Sequence, residues 1–272
     1  MKNLQVNDHV YTGNNKVTGG AVYQPVYSFG HLDRSAASVD YIQIFHDKTS
    51  KTKPPIELSS DHLIFLASSS SPVRAETIKV GDTIKLKTAD QATEQVAVTK
   101  IDTVTRTGAY LPMTPDGTIV VNDIAASVYG SVQQHYPSKF VGKILGIVPE
   151  QTLYHWYNAP YRMVCLGISP KLCENDYDEN GIIYFHSILL ELASAAKHYS
   201  AVIQVMIVIV GCVMFIPFVV AESILGPCFG WFGLLPALFA VANSLHKKVR
   251  RAKKNKGDVY CGASATKCVK SE

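Results

Sequence analysis

Apolar and polar residues alternate along most of the first half of the chain, a pattern that is typical of half-buried β-strands. The clearest runs are 41–45 (Y-I-Q-I-F) and 95–101 (Q-V-A-V-T-K-I), and helical periodicity is absent up to about Ser131. Farther along, residues 182–199 place apolar side chains at helical spacing. The pattern therefore predicts a mainly β domain followed by an α-helical region.

Two pairs of segments repeat within the β-rich half. Residues 4–10 (L-Q-V-N-D-H-V) match residues 78–84 (I-K-V-G-D-T-I), and both show a strand, an Asn-Asp or Gly-Asp turn and a second strand. Residues 56–64 are echoed by residues 118–126 in the same way, at a shorter spacing. Two copies of one β unit predict a compact β domain with pseudo-two-fold symmetry.

A polar S-S-D-H sequence separates two apolar, strand-like runs within residues 55–67. Ser59 precedes His62 by three positions, so a tight turn would direct both side chains into one small volume. A histidine and a hydroxyl in this position are candidates for proton transfer. The tetrapeptide is nevertheless common, and a hydroxyl and an imidazole that only satisfy a turn are the alternative interpretation.

Two apolar runs follow in the last third of the chain. Residues 201–221 carry no charge, and 21 residues form a helix of about 31 Å, long enough to cross a bilayer. The second run, 223–245, contains glycines and prolines, and it predicts a second span, a re-entrant hairpin or an interfacial segment. Seven of the ten residues in 247–256 are basic, which favours a cytoplasmic C-terminus. One span would then place the β domain in the lumen, and two spans would place it in the cytosol.

Composition excludes several classes of function. The basic run accounts for the net charge of +4, so no nucleic-acid partner is expected. All six cysteines lie in the second half without a C-x-x-C pair or metal-ligand spacing, so neither a metal nor a cofactor is expected. Cys165 and Cys173 are near enough in sequence for a disulfide, and two free thiols are equally consistent. The residue order of a Ser/His/Asp hydrolase and the zinc-protease signatures are both absent.

Five segments together carry a resemblance to a known family. They are V-N-D at 6–8, H-L-D-R at 31–34, L-S-S-D-H-L-I-F-L-A at 58–67, I-K-V-G-D-T-I at 78–84 and G-A-Y-L-P-M-T-P-D-G-T-I-V-V-N-D-I-A-A-S-V-Y at 108–129. This combination closely resembles the hedgehog-type Hint (hedgehog/intein) domain, an autoprocessing module. The match covers Met1 to about Gln134, and its last segment is the most specific. The resemblance implies a duplicated, flattened β fold, in agreement with the repeats.

The resemblance also implies an activity and its residues. Hint domains of this type act once, on their own chain. A cysteine at the first position attacks the preceding carbonyl to form a thioester, and a second nucleophile, cholesterol in hedgehog proteins, displaces it. The implied partners are the chain's own upstream segment and a sterol.

Three residues take roles from this resemblance. His62 would protonate the leaving amide nitrogen, and Ser59 stands where the family usually has threonine. Asp33 falls on the position of a carboxylate that activates the sterol hydroxyl. The alternative for Asp33 is a loop carboxylate that pairs with Arg34 or caps a turn.

Two departures from the family pattern bear on activity. The family's nucleophilic cysteine lies upstream of the L-x-V-G-D strand, and this chain starts at that strand with no cysteine before Cys165. We therefore expect an N-terminally truncated Hint domain that is inactive as given. Val128 also replaces the cysteine usual in A-S-C-Y, as a plain apolar core residue. A non-catalytic, membrane-anchored module that binds lipid or protein through a degenerate Hint fold is the second hypothesis.

The predicted organisation has four parts. Residues 1–135 form the Hint domain, and the aromatic, amphipathic residues 136–200 occupy the position of the adduct-recognition region of hedgehog proteins. Residues 201–246 hold one or two transmembrane segments, and residues 247–272 form a basic tail. The resemblance favours a membrane protein of the secretory pathway with a lumenal Hint domain, and hence one span and a second run that does not cross.

Overall fold

The structure, a computed structural model, describes residues 1–14, 20–69, 71–87, 93–131, 139–211 and 213–223. Up to Ser131 these residues contain strands and a single 3-10 turn, Ala75–Thr77, which confirms the predicted mainly β half. The strands are β1 His9–Asn14, β2 Ala21–Pro25, β3 Ser28–Asp33, β4 Val39–His46, β5 Ile56–Leu58, β6 His62–Ile64, β7 Val73–Arg74, β8 Thr83–Leu86, β9 Glu94–Arg106, β10 Ala109–Met113, β11 Thr118–Val121 and β12 Ile124–Gly130.

These strands pair into one large antiparallel sheet and two small ones. The large sheet has the order β5-β4-β9-β8-β12-β6-β7, with β11 paired to β12. The pairs β1–β2 and β3–β10 form two-stranded sheets. Because β12 pairs with β6, the last strand of the domain lies beside the strand that begins at His62.

The repeat of residues 4–10 in residues 78–84 is confirmed by its hydrogen bonds. In the first copy, the Gln5 amide donates to the Asp8 carboxylate at 2.8 Å. In the second copy, the Lys79 amide donates to the Asp82 carboxylate at the same 2.8 Å. An aspartate that binds a main-chain amide three residues earlier fixes the same turn in both copies.

The residue before each aspartate adopts the same left-handed backbone. Asn7 has φ 74° and Gly81 has φ 93°, a region that asparagine and glycine enter most readily. The Asn7 amide donates to the Val26 carbonyl at 2.8 Å, and the Gly81 amide donates to the Val98 carbonyl at 2.9 Å. One turn therefore leads into a strand pair twice, once before β1 and once before β8.

The second pair of repeated segments is less symmetric. Residues 56–64 and 118–126 both contain a strand, a polar turn and another strand. However, β11 and β12 pair with each other, whereas β5 pairs with β4 and β6 pairs with β12. The two copies thus share their local shape and differ in their strand partners.

A helical region follows the β domain and shares its core. Its elements are α1 Lys139–Leu145, α2 Glu150–Tyr157, α3 Ala159–Met163, a π-helical turn Val164–Ile168, a 3-10 turn Pro170–Cys173 and α4 Tyr184–Ala196. The helix predicted over 182–199 is confirmed as α4. Tyr154, Cys165 and Ile183 are buried in the same apolar cluster as Leu63 and Ile124 of the β domain. The hydrophobic core is therefore continuous across the predicted boundary at residue 135.

A disulfide closes part of the helical region. Cys165 and Cys173 are bonded to each other, so the disulfide holds and the free-thiol alternative does not. Both cysteines are buried, and the Ser28 hydroxyl of β3 donates to the Cys173 carbonyl at 3.3 Å. The disulfide loop is consequently attached to the β domain.

The long apolar segment forms one helix, α5, Ala201–Ser223. By length and composition it is able to cross a membrane, and its apolar side chains are mostly exposed on the protein surface. The rest of the second apolar run, from residue 224, and the basic tail predicted over 247–272 lie outside the described residues.

Candidate functional site

His62 is the first residue of β6 and follows a tight turn. The His62 amide donates to the Ser59 carbonyl at 3.1 Å, which closes the turn over the two residues between them. The Ser131 amide at the end of β12 donates to the Asp61 carbonyl at 2.8 Å. The S-S-D-H segment is therefore stabilised by a hydrogen bond within its own turn and by a second one from the end of β12.

The His62 ring is fixed by one hydrogen bond to the main chain. Its Nε2 atom lies 2.9 Å from the carbonyl oxygen of Ser127 in β12. Because a carbonyl oxygen only accepts, Nε2 must carry the hydrogen, and Nδ1 keeps a free lone pair in the neutral ring. Burial lowers the pKa of His62, against the opposing effects of the Ser127 carbonyl and the Asp61 carboxylate. The ring is neutral near pH 7 and is able to take up and return a proton at Nδ1.

Ser59 lies at the other end of the same turn and is half-buried. Its carbonyl binds the His62 amide, but its hydroxyl has no hydrogen-bond partner among the residues that the structure describes. The turn thus brings Ser59 and His62 together through the backbone. The Ser59 hydroxyl remains available to another group in this turn.

Asp33 ends β3 and caps the turn that follows. Its Oδ1 atom accepts hydrogen bonds from the Ser35 amide at 2.8 Å, the Ser35 hydroxyl at 2.7 Å and the Ala36 amide at 2.9 Å. The hydrogen bonds from Ser35 hold the pKa of Asp33 below its usual value. Arg34 binds the carbonyls of Lys2 and Leu4 instead of the Asp33 carboxylate. Of the two alternatives for a loop aspartate, the turn cap is the one present.

The described contacts do not join Asp33 to Ser59 or His62. Asp33 lies instead beside the loop that leads into α4, where the Leu32 amide donates to the Gly181 carbonyl at 2.7 Å. A Cβ atom at Gly181 would come within 3.0 Å of the Asp33 Cβ, and Gly181 has φ 75°. The carboxylate is therefore next to the helical region, apart from the histidine.

Ser127 and Gln151 complete the surroundings of His62, and the sequence did not single them out. The Ser127 hydroxyl donates to Gln151 Oε1 at 2.5 Å and accepts from the Tyr129 amide at 2.9 Å. Gln151 Nε2 in α2 donates to the Gly117 carbonyl at 2.9 Å. Ser127 lies within the A-S-V-Y segment of the resemblance, whereas Gln151 carries no local sequence signal.

Val128 and Arg162 show what surrounds the site. Val128 is 1% exposed and packs in the apolar core, as predicted for the residue that replaces the family's cysteine. Arg162 of α3 is fully buried, and its Nε and Nη2 atoms donate to the two carboxylate oxygens of Glu222 in α5, at 2.6 and 2.5 Å. This bidentate pair attaches the end of α5 to α3.

Among the described residues, no group of three or more His, Cys, Asp or Glu side chains is arranged to hold a metal ion. The chemistry that His62 offers beside the S-S-D-H turn is proton transfer at a neutral imidazole. The first cysteine of the given sequence, Cys165, is bonded to Cys173.

A family model described as the Hint module matches residues 1–198. The chain is 32% identical over 145 residues to the Sonic hedgehog protein of Xenopus laevis, covering 50% of this chain and 30% of that protein. It is 25% identical over 204 residues to the Tiggy-winkle hedgehog protein of Danio rerio, covering 71% of this chain and 44% of that protein. The chain thus spans less than half the length of these relatives.

Solved structures of inteins are similar to this chain at low sequence identity. The Ssp DnaB mini-intein variant M86 aligns with a TM-score of 0.35 and 10% identity, covering 45% of this chain and 76% of that one. An intein from a hyperthermophile aligns with a TM-score of 0.34 and 18% identity, covering 44% of this chain and 70% of that one.

Proposed function

The chain belongs to the Hint family, as a hedgehog-type member, and from that premise we propose that its β domain catalyses one self-cleavage with His62 as the proton donor. The hydrogen bond between His62 Nε2 and the Ser127 carbonyl carries this proposal. It leaves Nδ1 as the only ring atom free to exchange a proton with a substrate. Burial lowers the pKa of His62, which suits a group that must lose its proton at neutral pH.

In the first step, a cysteine thiolate attacks the carbonyl carbon of the peptide bond that precedes it. The C–S bond forms, the C–N bond breaks, and the amide becomes a thioester and an amine. The proton removed from the thiol ends on the departing nitrogen, and His62 Nδ1 is the atom that carries it. The Ser59 hydroxyl, for which the described residues provide no partner, lies on the same turn and is proposed to bind the strained peptide group.

In the second step, a sterol or another nucleophile displaces the thioester. Its hydroxyl oxygen bonds to the acyl carbon, the thiol leaves, and the upstream segment departs as an ester. Asp33 is proposed to accept the hydroxyl proton, and its place beside the Gly181 loop supports contact with a nucleophile bound by residues 136–200. For this role the carboxylate must release the hydrogen bonds from Ser35 and Ala36, or use its second oxygen.

The nucleophile of the first step is a cysteine, which the family carries upstream of the strand that follows Leu4 here. The first 164 residues contain no cysteine, so we propose that this chain forms no thioester unless a cysteine is supplied before residue 4. The second candidate function is a non-catalytic module that binds lipid or protein through the Hint surface.

The test fuses a reporter protein, the opening segment of a hedgehog-type Hint domain and its cysteine to the front of this chain. We expect dithiothreitol to release the reporter, because an external thiol displaces a thioester. His62→Ala should abolish the release. His9→Gln, which changes an exposed histidine of the same domain, should leave it unchanged. Release that persists with His62→Ala contradicts the assigned role, and a fully folded fusion without any release favours the binding module.

We further propose that the protein associates with a membrane of the secretory pathway, with the β domain in the lumen. Two observations support this. The Cys165–Cys173 disulfide is a bond that persists in oxidising compartments and is rare in the cytosol. α5 is long and apolar enough to reach lipid, and a sterol nucleophile would reside there.

A further inference from the structure

Helices α4 and α5 form an antiparallel hairpin. Phe185 near the start of α4 and Phe215 in the second half of α5 have ring centroids 5.4 and 5.6 Å from that of Tyr157. The two phenylalanines are 30 positions apart, which in one continuous helix would separate them by about 45 Å. The chain must therefore reverse between Ala196 and Ala201, so that the start of α4 and the second half of α5 lie beside the same tyrosine.

The far end of α5 is attached to the domain by charge. Glu222 lies one residue before the end of α5 and forms the bidentate pair with Arg162, whose side chain is fully buried. Moving Glu222 away would bury the Arg162 guanidinium without its counter-charge. An unpaired charge in the protein interior is strongly unfavourable. Both ends of the hairpin are thus held at the domain, and only the turn between the helices points away from it.

The surface of α5 matches lipid better than a protein partner. Its exposed apolar side chains include Val202, Ile203, Met206, Ile207, Ile209, Val210, Val213, Met214, Ile216, Phe218 and Val220. At 100° per residue they cover an arc of about 200°, whereas a helix packed on a protein buries a stripe of about 100°. On α4, Tyr184, Ile188 and Leu192 are also exposed, and their spacing of four residues places them on one face of that helix. A hydrocarbon phase covers such a broad surface from several sides at once.

We infer that the α4–α5 hairpin lies in the interface of one leaflet of a phospholipid bilayer, with its apolar surface in the hydrocarbon and its turn at headgroup level, so that α5 does not span the membrane. Glu191 and Lys197 are exposed and remain at the level of the lipid headgroups, as charged side chains of an interfacial helix do. Residue 223 then emerges on the side of the β domain. The inference rests on the membrane association proposed above and is independent of autoprocessing.

The test measures the side on which each end of α5 lies. The full chain is translated with sealed microsomes, with Cys212, Cys228, Cys261 and Cys268 changed to alanine and the disulfide kept. Lys48→Cys then reports on the β domain and Ser223→Cys on the end of α5, and both sites are exposed in the folded protein. A membrane-impermeant maleimide is added before and after the vesicles are opened with detergent.

We expect the chain to float with the microsomes. The two cysteines should react with the maleimide alike: either both react with intact vesicles, or both react only after the detergent has opened the vesicles. Opposite behaviour of the two sites establishes a span and overturns the hairpin, while membrane association still stands. A chain that does not float overturns both. Val210→Lys should lower the floating fraction on the order of tenfold because it places a charge in hydrocarbon. Val80→Lys, at an exposed valine of the β domain, should have no effect, and equal loss in both variants would contradict the assigned surface.

Discussion

The imidazole of His62 and the carbonyl of Ser127, 65 positions apart in the chain, meet at a distance of 2.9 Å. This contact joins β6 to β12, the strands that follow the polar turns of the two less symmetric repeat copies. It fixes which ring nitrogen carries the hydrogen and where the other nitrogen is free. The candidate chemistry of the domain follows from this one geometry.

The first prediction concerns the protonation state of His62. We expect nitrogen-15 NMR of the folded chain to show a neutral ring protonated at Nε2 at pH 7, with a pKa below 6.5, because burial disfavours the imidazolium. A His62 ring protonated at Nδ1 would contradict the hydrogen bond to Ser127, and a raised pKa would contradict the dominant effect of burial.

The second prediction concerns Gln151 as a positioning residue. Gln151→Ala removes the hydrogen bonds to the Ser127 hydroxyl and the Gly117 carbonyl, so Ser127 loses its contact with α2, while Tyr129 of β12 keeps its hydrogen bond to His155. We expect a changed nitrogen-15 signal for His62 and a cleavage rate in the cysteine-restored fusion lowered by roughly tenfold, equivalent to about 1.4 kcal/mol.

Gln95→Ala is the matched control, because Gln95 is an exposed glutamine on β9. A purely structural role for Gln151 would reduce stability without moving the His62 signal. An unchanged signal and an unchanged rate would exclude the positioning role.

The third prediction concerns acid stability. Burial lowers the pKa of His46 and His62, and burial together with Arg162 lowers the pKa of His155 to about 3. These rings are neutral when folded, and in the unfolded chain they take up protons near pH 6.5, so the unfolded state binds more protons as the pH falls. The free energy of unfolding should therefore be highest above pH 6.5 and decline below that pH. At pH 5, His155 alone should lower it by about 1–2 kcal/mol.

The measurement is guanidinium unfolding at pH 7 and pH 5. His155→Gln should flatten the decline, since glutamine does not titrate, and His9→Gln should leave the decline as it is. A decline that is equal in both variants would show that His155 is already charged in the folded protein.

The fourth prediction concerns Arg162 and Glu222. Glu222→Gln keeps the shape of the side chain and removes its charge, so the buried guanidinium loses its counter-charge. We expect the free energy of unfolding to fall by about 3–5 kcal/mol, the usual effect of breaking one half of a buried ion pair. Thermal unfolding in detergent micelles measures it.

A double variant provides the control. Arg162→Met with Glu222→Gln removes both charges, and it should recover a large part of the lost stability, because an apolar replacement needs no counter-charge. A double variant less stable than Glu222→Gln alone would show that Arg162 stabilises the fold by contacts other than this pair.

Local sequence determined much of this protein. The alternation of apolar and polar residues specifies strands because successive side chains of a strand point to opposite faces, and this holds up to Ser131. The repeat of residues 4–10 in 78–84 specifies the same Asx turn twice, because an aspartate and a left-handed residue before it encode that turn locally. The helices α4 and α5 were likewise evident from spacing and from the absence of charge.

Tertiary structure decided the rest, because it depends on partners distant in the chain. The S-S-D-H segment indicates a turn, but only the pairing of β6 with β12 brings the Ser127 carbonyl to the His62 ring. Asp33 was placed by resemblance, and the fold shows it capping a local turn beside Gly181. The apolar run of α5 has the length of a span, yet its relation to the domain follows from a buried arginine 60 positions earlier. The composition of α5 shows that it is apolar, but only the packing of the folded protein determines which end of the helix is attached to the domain.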